Sequence, residues 1–264
     1  MIGPTDFAAF GSGSLVGLAL GMVGGGGSIL AVPLLVYVVG VASPHVAIGT
    51  SAVAVAASAF ANLVAHARAG NVRWPCAAVF TGAGVVGAIL GAMLGKALDG
   101  QKLLALFGAL MIAVAVAMFL RKGADGAGFR PLDAASAGRL TPRLVAIGGA
   151  VGALSGFFGI GGGFLIVPGL ILAADMPMLL AIGTSLAAVT GFGLTTALSY
   201  AWSGLVDWRL AFVFIAGGVA GGLVGAWVGR ALAGHKAALT RVFAALVLVV
   251  GLYVAARGLF SLIA

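Results

Sequence analysis

Ten residues, Gly24-Gly25-Gly26-Gly27-Ser28-Ile29-Leu30-Ala31-Val32-Pro33, return 135 positions later as Gly159-Ile160-Gly161-Gly162-Gly163-Phe164-Leu165-Ile166-Val167-Pro168, each copy inside long apolar sequence. Consecutive glycines in an apolar medium present backbone N–H and C=O groups that lipid cannot satisfy. Such a break persists only where protein or water covers it. In membrane proteins that usually means a binding site.

The surrounding composition sets the class. Hydrophobic residues make up 62% of the chain, charged residues 8%, and the mean hydropathy is +1.23, whereas soluble domains carry roughly 25% charge. The sequence predicts an all-α polytopic membrane protein. Apolar runs fall near 7–23, 28–40, 45–67, 75–98 and 103–120, then near 144–158, 163–174, 178–201, 208–232 and 237–256. One polar stretch, 121–143, separates them; it holds Arg121, Lys122, Arg130, Arg139 and Arg143 and has linker composition.

The halves correspond beyond the glycines. Ala47-Ile48-Gly49-Thr50-Ser51 recurs as Ala181-Ile182-Gly183-Thr184-Ser185, and Gly70 to Trp74 as Gly204 to Trp208, both at an offset of 134. The expected organisation is a first transmembrane repeat over 1–120, a basic cytoplasmic linker over 121–143 and a second repeat over 144–264. Each repeat holds about four long helices plus a short Gly-broken or re-entrant segment. A span needs roughly 20 apolar residues, so 28–40 and 163–174 are too short to cross comfortably.

Orientation depends on how often each half crosses. Four crossings with the linker inside put nine Lys and Arg inside and five outside; five crossings put ten inside and four outside. Both satisfy a positive-inside bias, so parallel and inverted repeats stay open. The first Lys or Arg is Arg68, so residues 7–23 lack the basic start of a secretory signal and read as a retained segment. The expected location is the plasma membrane (the inner membrane of a bacterium), multi-pass.

Several chemistries are disfavoured. The six acids are all Asp, and Asp175, just after the second short segment, is the nearest approach to a proton relay. Gly91 to Ala97 lacks the spacing and the Ser or Thr of a phosphate loop. Cys76 is the single cysteine, and His45, His66 and His235 show no nucleophile-and-base spacing. No enzyme activity, metal or cofactor is expected, and no nucleic-acid partner, since the net charge of +8 is spread over loops. Gly84, Gly87, Gly91 and Gly95 match Gly218, Gly221, Gly225 and Gly229; these rows read as packing seams without chemistry.

Anion chemistry is what the duplicated elements offer. The short helix after each break is expected to start at Ser28 or Gly163, with its free N–H groups and positive dipole end facing the break. Two such ends, one per repeat, are expected to converge on an oxyanion near the bilayer midplane. Thr50, Ser51, Thr184 and Ser185 add hydroxyl donors; their bland reading is back-bonding within helices. Asn62, His66, Thr195 and Thr196 lie further along the same helices and are polar candidates by position. Pro33 and Pro168 help to keep the short segments short or kinked.

These residues together resemble the TauE/SafE family, the sulfite exporter or toluene-sulfonate uptake permeases. The resemblance rests on Gly24 to Pro33, Gly159 to Pro168 and both Ala-Ile-Gly-Thr-Ser stretches, and covers nearly the whole chain. It implies secondary transport of small sulfur-containing anions such as sulfite, sulfoacetate or other organosulfonates. It also implies binding positions at Gly24, Gly25, Gly26, Gly27, Ser28, Thr50, Ser51, Gly159, Gly161, Gly162, Gly163, Thr184 and Ser185, to which the residue pattern adds Asn62. The copies differ, with Gly25 and Ser28 where Ile160 and Gly163 stand. Expected partners are a small anion and membrane lipid, with a homodimer open. A passive anion channel and a non-transporting scaffold are the alternatives.

Overall fold

The computed structural model describes residues 3–120, 132, 136–159, 163–231 and 236–263, and those residues are helical apart from short connections. In chain order they form α1 (Pro4–Val23), a 3-10 segment (Gly24–Leu30), α2 (Ala31–Tyr37), α3 (Pro44–Arg68), α4 (Trp74–Ala97), α5 (Gly100–Leu120), α6 (Ala137–Phe158), α7 (Gly163–Ala174), α8 (Met178–Trp202), α9 (Trp208–Ala231) and α10 (Lys236–Ile263). Among the described residues, six helices are long and apolar enough to cross a membrane.

Local chemistry sets the ends. Ser43 caps α3 by accepting from the Val46 N–H, with Pro44 following it in the first turn. Asp99 accepts from Gln101 and Lys102 at the start of α5, and Asp207 from Leu210 at the start of α9. Gly70 (φ +73°) and Gly204 (φ +69°) turn the chain after α3 and α8. There Asn71 N–H donates to His66 O at 3.0 Å and Leu205 N–H to Tyr200 O at 2.9 Å, a left-handed C-terminal closure that glycine adopts without steric penalty.

Glycines also determine which helices touch and in which direction. A Cβ added at Gly13, Gly17 or Gly21 of α1 would strike the carbonyl of Phe214, Gly218 or Gly222 of α9. The numbers rise together, so α1 and α9 run parallel. Gly148, Gly152 and Gly156 of α6 meet the Phe80, Gly84 and Ala88 carbonyls of α4 in the same way. Gly49 of α3 instead meets Leu205 just after α8, while Gly193 of α8 meets Ala56 and Gly183 meets Asn71, so α3 and α8 run antiparallel. Gly108 meets Ala255, and Gly251 meets Met111, so α5 and α10 are antiparallel as well.

These directions fix the path. From the end where α1 begins, the chain crosses the bundle five times to reach the linker end at Leu120, and five times back from Ala137 to Ile263. The short pieces 24–37 and 163–174 are therefore return legs and not appendages. α6 begins seven residues before the apolar run that marks it, with Arg139 and Arg143 on its first turns.

α3 and α8 lie at the centre. Their apolar windows are 72% and 56% buried, against 33–39% for the other four candidate spans. Outer helices turn Leu90, Leu94, Phe212, Leu223 and Trp227 outward, an apolar surface suited to lipid and not to water.

Candidate functional site

The first glycine run does not head an α-helix at Ser28. Gly24–Leu30 winds as a 3-10 helix and α-helix begins only at Ala31, so Ser28 sits fully buried inside the tighter segment, with Gly26 and Gly27 also buried. Four successive glycines favour α-helix weakly, and their missing Cβ atoms allow the chain to double back. Gly27 lies against the Ala19 and Leu20 backbone of α1, where a Cβ would stand 2.5 Å from Leu20 N. The second copy behaves as expected at its end: α7 starts at Gly163. Gly159 caps α6 in the left-handed region (φ +65°), and a Cβ there would run into Ile48 Cγ2 of α3. Ile160, Gly161 and Gly162 lie outside the described residues.

Each hydroxyl of the Gly-Thr-Ser triplets has a protein partner, and all four side chains are fully buried. Ser51 donates to Ile48 O at 2.9 Å and Ser185 to Ile182 O at 2.7 Å, so both serine protons are committed to their own helices. Thr50 Oγ1 accepts from Asp207 N–H at 2.9 Å, and Thr184 Oγ1 accepts from Arg73 N–H at 3.0 Å. A hydroxyl that accepts one hydrogen bond still carries its own proton. The two threonines therefore clamp the turn between the opposite pair of helices and retain a donor.

The triplets do not converge. Thr50 sits two turns into α3 beside the α8–α9 turn, whereas Thr184 touches Arg73 just beyond the far end of α3. The 18 residue steps of α3 from Thr50 to Arg68 rise about 27 Å at about 1.5 Å per step. The two triplets therefore fall towards opposite ends of the α3–α8 pair, while the 3-10 segment packs against α7, α1 and α8. Gly159 packs on Ile48 in the second turn of α3. Antiparallel α3 and α8 separate the triplets because each lies near its own helix start.

Between the ends the central pair carries a few buried polar groups. Asn62 donates to Ser58 O at 2.9 Å and faces Gly222 of α9. Thr196 Oγ1, at the offset of 134 from Asn62, is buried without a hydrogen-bond partner, as are Ser155 Oγ and Tyr200 Oη. Thr195 bonds back to Gly191 O, and Asp175, far from acting as a buried relay, occupies a left-handed turn position (φ +49°) between α7 and α8. Ser155 and Tyr200 escaped the sequence reading, although a lone polar side chain within an apolar run was the available signal.

Two charged side chains that fasten helices together at the α1 end were not assigned that role from the sequence. Asp6 is 5% exposed and accepts from Arg209 at 2.7 Å and from Gly3 N–H at 2.7 Å, joining α1 to α9. Lys96 Nζ donates to Ser199 O and Ser203 Oγ at 3.1 Å each and lies 5.8 Å from the centre of the Tyr200 ring, joining α4 to α8. Among the described residues no cluster of His, Cys, Asp and Glu could hold a metal.

A family described as sulfite exporter TauE/SafE matches residues 9–254. A probable membrane transporter protein of Xylella fastidiosa strain 9a5c is 52% identical over 254 residues, covering 96% of each chain. YunE of Bacillus subtilis, a probable membrane transporter protein, is 26% identical over 94% of this chain and 97% of its own. A probable membrane transporter protein of Methanocaldococcus jannaschii is 27% identical over 71% of this chain and 69% of its own. No solved structure gives a significant match.

Proposed function

Because the chain belongs to the TauE/SafE sulfite exporter family of membrane transporters, we propose that it is a secondary carrier of small sulfur-containing anions, such as sulfite, sulfoacetate or other organosulfonates, working by alternating access between two inverted repeats. It is a multi-pass plasma-membrane protein.

The observation that carries this reading is the crossed threonine clamp. Thr50 holds Asp207 N–H and Thr184 holds Arg73 N–H, and both partners of one bond lie 134 residues from those of the other. Opposed directions in α3 and α8, with matching α1–α9 and α4–α6 seams, support a pseudo-twofold axis lying in the membrane plane. Ten Lys and Arg belong to the linker end and four to the other, which favours a cytoplasmic linker.

Two stations follow, one reached from each side. The outer one draws on Gly159, Gly161, Gly162 and the N-terminus of α7 at Gly163, with Thr50 and Ser51. The inner one draws on Gly24, Gly25, Gly26, Gly27 and Ser28, with Thr184 and Ser185. Asn62 and Thr196 lie along the route between them. Threonine hydroxyls and backbone N–H groups hold an oxyanion without a fixed charge and release it readily.

Uptake of radiolabelled sulfite, sulfoacetate and taurine into proteoliposomes tests the assignment. Saturable uptake of at least one sulfur oxyanion is expected, together with its loss in a folded Gly26→Leu variant. Uptake of none of them, or full uptake by Gly26→Leu, overturns the reading.

A further inference from the structure

Apart from the glycine and threonine stations, the α1 end of the bundle holds a cavity of about 540 Å³ between the end of α2, the starts of α3 and α5, and the end of α10. Val41, Leu104 and Phe260 contribute apolar wall; Tyr37, Gln101 and Arg257 are its polar members. The volume falls within the range of small-ligand sites, roughly 300–1,000 Å³.

Three features bear on what it would hold. Arg257 is its only charged lining residue, and among the described residues no carboxylate pairs with it; the ion pair found there joins Asp6 to Arg209. The nearby Asp99 carboxylate caps the start of α5 through Gln101 and Lys102 N–H and so fixes the backbone that carries Gln101. Tyr37 is held edge-on against Tyr253, with centroids 5.1 Å apart at 80°, which orients its ring at the wall. At offsets of 134 and 135, Tyr37 corresponds to Ile171 and Leu172, so its hydroxyl has no counterpart in the other half of the chain.

From these observations we propose a second ligand site here, for an amphiphilic monoanion: an acidic headgroup held by the Arg257 guanidinium beside the Tyr37 hydroxyl and Gln101 amide, and an apolar body laid along Val41, Leu104 and Phe260. A single guanidinium matches a single acidic group and hydrogen-bonds two of its oxygens at once. The apolar walls exclude a small, strongly hydrated dianion such as sulfate. A soluble organic anion and the headgroup of an acidic lipid share this chemistry.

The test uses the full chain in a neutral maltoside detergent and follows its thermal unfolding during titration with hexane-1-sulfonate, sodium sulfate at matched ionic strength, and phosphatidylglycerol in mixed micelles. A folded-state ligand raises the melting temperature by mass action. Hexane-1-sulfonate or phosphatidylglycerol is expected to give a saturable rise that sulfate does not. Arg257→Gln and Tyr37→Phe are expected to weaken binding, the former by about tenfold or more, the scale of a lost charge-assisted hydrogen bond. Displacement of hexane-1-sulfonate by phosphatidylglycerol identifies a lipid occupant, and its absence a soluble one. No saturable rise with either, or equal rises in wild type and Arg257→Gln, overturns the proposal. Binding here is read without transport, so its failure leaves the carrier reading intact.

Discussion

Replacing Thr50 by valine keeps the shape of the side chain and removes one oxygen. That oxygen receives the Asp207 N–H at 2.9 Å, and Thr50 itself is fully buried. Leaving a buried N–H without an acceptor costs about 1–3 kcal/mol. Asp207 is only partly buried at the end of the bundle, where water can take over some of the bond, and loss of the buried hydroxyl relieves its own desolvation. The expected destabilisation is therefore near the lower bound, about 1 kcal/mol. Thr184→Val removes the equivalent bond to Arg73 N–H and should cost a similar amount. Since the two bonds lie far apart along α3, their effects should add to about 2 kcal/mol in the double variant, within about 0.5 kcal/mol. Thr50→Ser and Thr184→Ser retain the acceptor and should recover most of the loss. Reversible unfolding in mixed dodecyl sulfate and maltoside micelles measures each value. A valine variant as stable as wild type, or serine variants no better than valine, would refute the clamp.

Three further outcomes follow from the same geometry. Gly84→Ala should lose about 1–3 kcal/mol or fail to insert, because its Cβ would meet the Phe192 ring and the Gly148 carbonyl; Gly82→Ala, with nothing within 4 Å, should gain about 0.5–1 kcal/mol in the same unfolding assay. Gly159→Ala should lose at least about 1–2 kcal/mol in the same assay from its left-handed backbone, since the contact of its Cβ with Ile48 adds to that strain. Arg209→Gln should cost about 1 kcal/mol or less, because the Arg209 side chain is 64% exposed, and a double-mutant cycle with Asp6→Asn should return a coupling of that size.

Much of the helix layout was legible because bilayer-length apolar runs are long and sharply bounded; the runs at 178–201 and 208–232 match α8 and α9 to within a residue. α6 was less legible at its start, since Arg139 and Arg143 look like linker even though Ala137–Phe158 is continuous helix. The 3-10 winding of Gly24–Leu30 was hidden for a different reason. Glycine permits many backbone paths, and contact with Ala19 and Leu20 of α1 selects one of them. Helix direction was invisible in composition, because four and five crossings gave nearly the same charge balance. It became clear once Gly17 was seen against Gly218 and Gly49 against Leu205. The hydroxyls of Thr50 and Thr184 stood out in the sequence as polar positions, yet their partners, 157 and 111 residues away in sequence, could be found only in space.

Counterflow bears most directly on the central claim that the chain is a carrier with alternately exposed stations. Proteoliposomes loaded with unlabelled substrate anion are diluted into trace labelled anion with the membrane potential clamped at zero. A carrier accumulates label transiently above equilibrium and shows saturation with external anion. A simple monotonic approach to equilibrium, linear in concentration, would contradict alternating access and identify a passive pore.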